Sequence, residues 1–196
     1  MIYDISQPVF GSSVYPGDPE PIKELLASLE TGDGYNLSAF SMCAHNGTHV
    51  DAPLHFLKDG RGVGSVALEK FVGPAYVGTA QGDVNEREAR ALLKAAQKAC
   101  PGAERRILIK GNATVTLEAA KTFANAGIDL IGNESQTVGP EDAPMAVHLA
   151  LLSAEVILLE GVRLSEVPDG AYLLNCAPIN LGETDGAPCR AILMNL

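Results

Sequence analysis

The fold class is read from Arg106–Gly132, RILIKGNATVTLEAAKTFANAGIDLIG. Arg106-Ile107-Leu108-Ile109-Lys110 is an apolar run between basic residues and reads as a buried strand. Leu117 to Ala126 carries helical spacing and is closed by Gly127, and Ile128-Asp129-Leu130-Ile131-Gly132 is a second apolar run of strand length. A strand, a helix and a strand in close succession indicate an α/β fold.

The alternation continues on both sides. Upstream, Ala89, Leu92, Leu93, Ala96 and Ala99 fall at three- and four-residue spacing, which predicts a helix over Glu86 to Ala99. Asp83 or Asn85 caps its start and Pro101-Gly102 stops it. Phe71 to Thr79 reads as a strand pair, or as one long strand broken at Gly73-Pro74. Downstream, Pro144 opens a short helix that carries His148, and Val156 to Gly161 is a strand run ending in Glu160. Ala171 to Cys176 and Cys189 to Met194 supply two further strands. Nearer the start, Tyr35 to Met42 alternates as a strand, and Asp59 to Gly64 reads as a flexible glycine-rich connection. That connection lacks the setting of a phosphate loop. No repeat, linker or low-complexity segment divides the 196 residues, and 46% hydrophobic composition suffices for one core. The expectation is a single domain, 1–196, with a mixed sheet and flanking helices.

A formal charge of −10 with no run of Lys or Arg argues against a nucleic-acid partner. No charged leader with a long apolar run stands at the N-terminus, and no apolar stretch reaches membrane-spanning length. The expectation is a soluble, cytoplasmic protein without a membrane partner. Cys43, Cys100, Cys176 and Cys189 show no paired spacing and fit reduced thiols.

Chemistry concentrates in His45-Asn46-Gly47-Thr48-His49-Val50-Asp51-Ala52-Pro53-Leu54-His55, which holds three of the four histidines. Imidazole and carboxylate together suit Zn²⁺, Mn²⁺ or Fe²⁺. Along a straight strand His45 and His49 would lie about 13 Å apart, too far to share an ion. The chain must therefore turn, through a compact loop or a single helical turn that Gly47 permits, while Pro53 blocks a continuous helix or central strand. Asp51 can then bridge two ions, and His55 is a further ligand or a free acid/base group. His148, with Glu160 twelve residues later, offers a second histidine–carboxylate set. Glu134 and Gln136 follow a strand end and are supporting groups, substrate-contacting groups or exposed loop residues. Tyr15, in Tyr15-Pro16-Gly17-Asp18, is a packing residue or an aromatic wall facing a small-molecule substrate.

His45-x3-His49-x-Asp51-x-Pro53-x-His55 resembles the hallmark of the cyclase-like metal-dependent hydrolases, which include bacterial kynurenine formamidases and isatin hydrolases. Asp4-Ile5-Ser6, Tyr15 to Asp18, the His148–Glu160 spacing and Ala187-Pro188-Cys189-Arg190-Ala191 extend the resemblance over nearly the whole chain. It implies a swivelling β/β/α fold, usually homodimeric, with sites near the subunit interface. It also implies one divalent metal on His45, His49 and Asp51, a second on Asp51, His148 and Glu160, and His55 as catalytic proton donor and acceptor. Zn²⁺ is the leading ion. The formamidases carry Trp where this chain has Tyr15. The implied activity is hydrolysis of a carbon–nitrogen amide bond by metal-activated water, with N-formylkynurenine or a related aryl formamide as substrate. Alternatives are a cyclic amide or lactone hydrolase, a non-catalytic metal or small-molecule binder, and a cysteine hydrolase using Cys43.

Overall fold

The computed structural model describes residues 1–196. In chain order the elements are β1 (Ile2–Asp4), β2 (Ile22–Ala27), β3 (Leu37–Ser41), β4 (His49–Asp51), β5 (Val72–Thr79), β6 (Gly82–Val84), α1 (Glu86–Ala99), β7 (Arg106–Lys110) and β8 (Ala113–Val115). They continue through α2 (Leu117–Asn125), β9 (Leu130–Asn133), α3 (Met145–Leu152), β10 (Ile157–Glu160), β11 (Gly170–Asn175), β12 (Gly186–Pro188) and β13 (Ile192–Asn195). Nine strands form one curled, mixed sheet in the order β1-β13-β11-β5-β7-β9-β10-β4-β12. Strands β5, β7, β9 and β10 are mutually parallel, and antiparallel strands flank them on both sides. The α/β, single-domain expectation holds.

Period-two alternation gives each central strand two apolar faces. Ile107 and Ile109 of β7, Ile131 of β9 and Leu158 of β10 pack with Ala89 and Leu92 of α1, Phe123 of α2 and Leu151 of α3. Leu108, Leu130 and Leu159 face the other way, into the curl of the sheet with Val50, Val77, Leu174 and Leu193. Burial on both faces explains the continuous apolar runs in the sequence. Phe123 is fully buried, and its replacement by alanine would cost about 3–5 kcal/mol.

The helix boundaries follow their end signals. Asn85 and Glu88 form a reciprocal capping box at the start of α1, and Pro101 follows its end. Thr116 caps α2 by accepting the Ala119 N–H. No helix is long and apolar enough to cross a membrane.

Three expectations change. β5 is one strand despite Gly73-Pro74, because its pairing with β7 begins only at Tyr76. His49–Asp51 is a strand interior to the sheet rather than loop or helix, since Pro53 comes after it and the turn comes before it. The glycines of Asp59–Gly64 serve close packing rather than flexibility. A Cβ on Gly62 would come within 2.6 Å of Glu183 Cα, and one on Gly64 within 2.7 Å of the Gly182 carbonyl oxygen. Val63 N–H and Gly64 N–H donate to the carbonyls of Thr184 and Gly182, both at 2.8 Å, strapping the two segments together.

Strands β2 and β3 form a separate antiparallel hairpin with large apolar side chains in solvent. Leu25, Leu26 and Phe40 are 58%, 55% and 60% exposed.

Candidate metal centre

The site lies on the helix-bearing side of the sheet. Strand parity turns His49 and Asp51 to that side, because Val50 between them points into the curl. In the antiparallel register of β10 against β4, Glu160 stands opposite His49. Helix α3 adds His148 from above. Two adjacent strands and one helix thus bring together residues more than a hundred positions apart.

His45 reaches the same place through a turn. Gly47 adopts φ +65°, the Asn46 side chain accepts the Cys43 N–H at 2.8 Å, and the His45 and His49 rings meet with centroids 5.1 Å apart. Gly186 makes room for it, since a Cβ there would lie 2.6 Å from His45 Cε1.

His49, Asp51, His148 and Glu160 are each at least 98% buried. His49 Nε2 lies 3.4 Å from Asp51 Oδ1 and 3.5 Å from Glu160 Oε2. His148 Nε2 lies 3.5 Å from Asp51 Oδ2 and 3.4 Å from Glu160 Oε1. These separations are too long for good hydrogen bonds. They match the edge of a ligand tetrahedron, about 3.4 Å for bonds of about 2.1 Å.

Neighbouring groups set the ring orientations. His49 Nδ1–H donates to the Gly47 carbonyl and His148 Nδ1–H to the Pro144 carbonyl, each at 3.0 Å, so both Nε2 atoms face the carboxylates. Glu160 Oε1 accepts the Val138 N–H at 2.8 Å. Asp51 Oδ2 is buried without a hydrogen-bond partner, a costly arrangement unless a cation meets it. The donor set fits a divalent ion.

Electrostatics agree. Burial opposes charge on His49 and His148, yet Asp51 and Glu160 outweigh it and raise both pKa values to about 10. Burial also opposes ionisation of Asp51, but His148, His45 and His49 hold its carboxyl well below the usual range. The centre therefore binds positive charge strongly, as protons or as metal.

His55 follows Pro53 in a one-turn 3₁₀ helix and stands at the margin, its side chain 27% exposed. Burial lowers its pKa, with His45 and His148 adding to the effect against the pull of Asp51, so the ring is neutral at pH 7. It stacks on His45 with centroids 4.0 Å apart. A cleft of about 570 Å³ opens over the centre and is lined by Tyr15, Cys43, Phe56, Gln136 and Asp185 along with the histidines. The Tyr15 hydroxyl donates to the Glu141 carbonyl at 2.7 Å, fixing the ring at the rim. Burial raises the Cys43 pKa, which keeps that thiol protonated and removes support from a cysteine nucleophile.

Of the two loop residues singled out in the sequence, Gln136 lines the cleft, whereas Glu134 accepts the N–H groups of Gly111 and Leu164 away from it. Sequence reasoning missed Phe56 and Asp185. Phe56, next to His55, packs on His148 with centroids 4.7 Å apart. Asp185, in Thr184-Asp185-Gly186, looks like any turn residue until the fold brings it to His45.

A family model described as "Putative cyclase" matches residues 3–140. The chain belongs to the cyclase family. Cyclase-family relatives match over nearly their full lengths. The kynurenine formamidase of Erythrobacter litoralis is 32% identical over 100% of this chain and 94% of its own. That of Bacillus cytotoxicus is 34% identical over 98% and 97%. The solved structure of a predicted metal-dependent hydrolase from Bacillus stearothermophilus superposes with a TM-score of 0.80 at 28% identity, covering 98% of this chain and 97% of that one. Isatin hydrolase A of Labrenzia aggregata shares the fold, with a TM-score of 0.84 at 19% identity over 100% and 93%.

Proposed function

We propose that this member of the cyclase family is a metal-dependent amidohydrolase whose leading substrate is N-formylkynurenine or a related aryl formamide. The observation that carries the reading is the buried ring of His49, Asp51, His148 and Glu160 donor atoms at 3.4–3.5 Å beneath an open cleft, with neutral His55 beside it. Full-length similarity to kynurenine formamidases supports the substrate class.

Zn²⁺ is the proposed ion, two per subunit. Asp51 Oδ1 faces His45 Nδ1 at 2.8 Å and His49, while Oδ2 faces His148. This supports Asp51 as the bridge between a proposed set with His45 and His49 and a proposed set with His148 and Glu160, whose second oxygen also comes within 3.5 Å of His49. When bound, such ions supply Lewis-acid polarisation of water and of the scissile carbonyl.

His55 is the proposed acid/base. Its neutral ring takes a proton from the attacking water and delivers it to the departing aniline nitrogen, which would otherwise leave as a poor anion. Tyr15 provides an aromatic rim against which the aniline ring stacks. The proposed assembly is a homodimer in the cytoplasm. Four free cysteines fit a reducing compartment, and the exposed apolar face of the β2–β3 hairpin fits burial against a second copy.

The deciding experiment is formate release from N-formylkynurenine by chelator-stripped protein, with and without Zn²⁺ or Mn²⁺. Turnover restored by metal is expected. No turnover with metal bound overturns the substrate assignment and turns the search to isatin-like cyclic amides.

A further inference from the structure

Two carboxylates that line the cleft, Asp18 and Asp185, lie outside both proposed ligand sets, and Asp185 is the one that meets histidines. Asp185 Oδ2 stands 2.8 Å from His45 Nε2 and 3.3 Å from His55 Nδ1, so a single oxygen meets both stacked rings. Its backbone is held from several directions. The Ala52 N–H donates to the Asp185 carbonyl at 2.9 Å, the Val63 N–H donates to the Thr184 carbonyl, and β12 pairs with β4 immediately afterwards. The Thr184 hydroxyl closes the turn onto the Gly186 carbonyl at 2.9 Å. The side chain is 45% exposed, so the tight anchoring serves its aim rather than its burial.

An ionised carboxylate only accepts hydrogen bonds. The ring nitrogens facing Asp185 must therefore carry their protons. At His55 this places a proton on Nδ1, so Nε2 is the nitrogen that takes up and gives back the other. For His45 it commits Nε2–H to Asp185, so Nδ1, which meets the Asp51 carboxylate at 2.8 Å, is the nitrogen that would give up its proton to hold an ion. We infer that Asp185 is a positioning residue that orients His55 for proton transfer and His45 for metal binding through one shared carboxylate oxygen. The role in proton transfer rests on the function proposed above. Loss of a carboxylate that orients a metal-binding histidine typically costs 10–100-fold in affinity or activity.

The test is a cycle of Asp185→Ala and His55→Ala, singly and together, assayed at saturating Zn²⁺, with Asp185→Asn taking its place should the alanine variant fail to fold. Asp185→Ala is expected to lower kcat about 10–100-fold with KM nearly unchanged, and to cost little further once His55 is absent. Equal losses in both backgrounds would overturn the inference for His55. Two readouts are independent of turnover. Zn²⁺ affinity, measured by competition with a chromophoric chelator, is expected to fall about 10–100-fold in Asp185→Ala. Nitrogen NMR is expected to show His55 as the Nδ1–H tautomer in the parent protein and to lose that preference in the variant. An unchanged affinity removes the His45 role, and an unchanged tautomer removes the His55 role. A parent protein that binds Zn²⁺ but releases no formate defeats the proposed function, while the tautomer and affinity measurements still decide the role of Asp185.

Discussion

His55 and Asp51 stand four positions apart in sequence but have opposite surroundings. His55 is part-exposed, and beside its stack on His45 it makes one polar contact, to Asp185 at 3.3 Å, so His55→Ala is expected to leave metal content nearly intact and to lower kcat about 10²–10⁴-fold. Asp51 is buried among three histidines, so Asp51→Ala is expected to release metal. Metal analysis alongside turnover separates the two, and full occupancy without Asp51 would remove its bridging role. The imidazoles make a further prediction. Without metal, His49 and His148 hold protons up to about pH 10, well above the ordinary 6.5. An ion needs their lone pairs, so binding at pH 7 should release at least two protons, one from each of these rings, and strengthen as pH rises towards 10. Calorimetry in buffers of different ionisation heat reads that number directly; no proton release would mean the rings are not ligands. The same shift stabilises the metal-free fold fully below pH 6.5, and that contribution fades as pH climbs through about 10.

At the scale of elements, the centre depends on β4 being clamped between β10 and β12. The β10 register sets Glu160 against His49, and the β12 register delivers Asp185 over His45. The strap from Gly62 to Gly64 holds the approach to β12. Gly64→Ala would force a Cβ to within 2.7 Å of the Gly182 carbonyl oxygen, against backbone that has little room to yield. The expected cost is about 1–3 kcal/mol by urea denaturation, as for overpacked cores. Activity should fall with it, because the displaced segment leads to Asp185. A neutral effect on both would show that the strap gives way without disturbing the site.

For the whole molecule, the exposed hairpin is the feature a lone chain least explains. Leu25, Leu26 and Phe40 present an apolar face that a monomer would leave in water. The proposed dimer should bury it, and paired Leu25→Glu and Phe40→Glu substitutions should yield monomers in light-scattering chromatography. Monomeric parent protein would refute the assembly.

Much of this architecture was legible in the chain because it rests on local physics. Glu86–Ala99 matched its predicted bounds through capping and spacing, and Arg106–Lys110 through an uninterrupted apolar run. The six residues predicted to carry the metal chemistry also converge, since imidazoles and carboxylates crowded at that density have few other uses. Where His49–Asp51 would sit was not legible. A three-residue strand is specified by its neighbours β10 and β12, which lie more than a hundred residues downstream. Asp185 was hidden for the same reason. Its surroundings in sequence are those of a turn, and only the antiparallel return of β12 along β4 carries its carboxylate to His45 and His55.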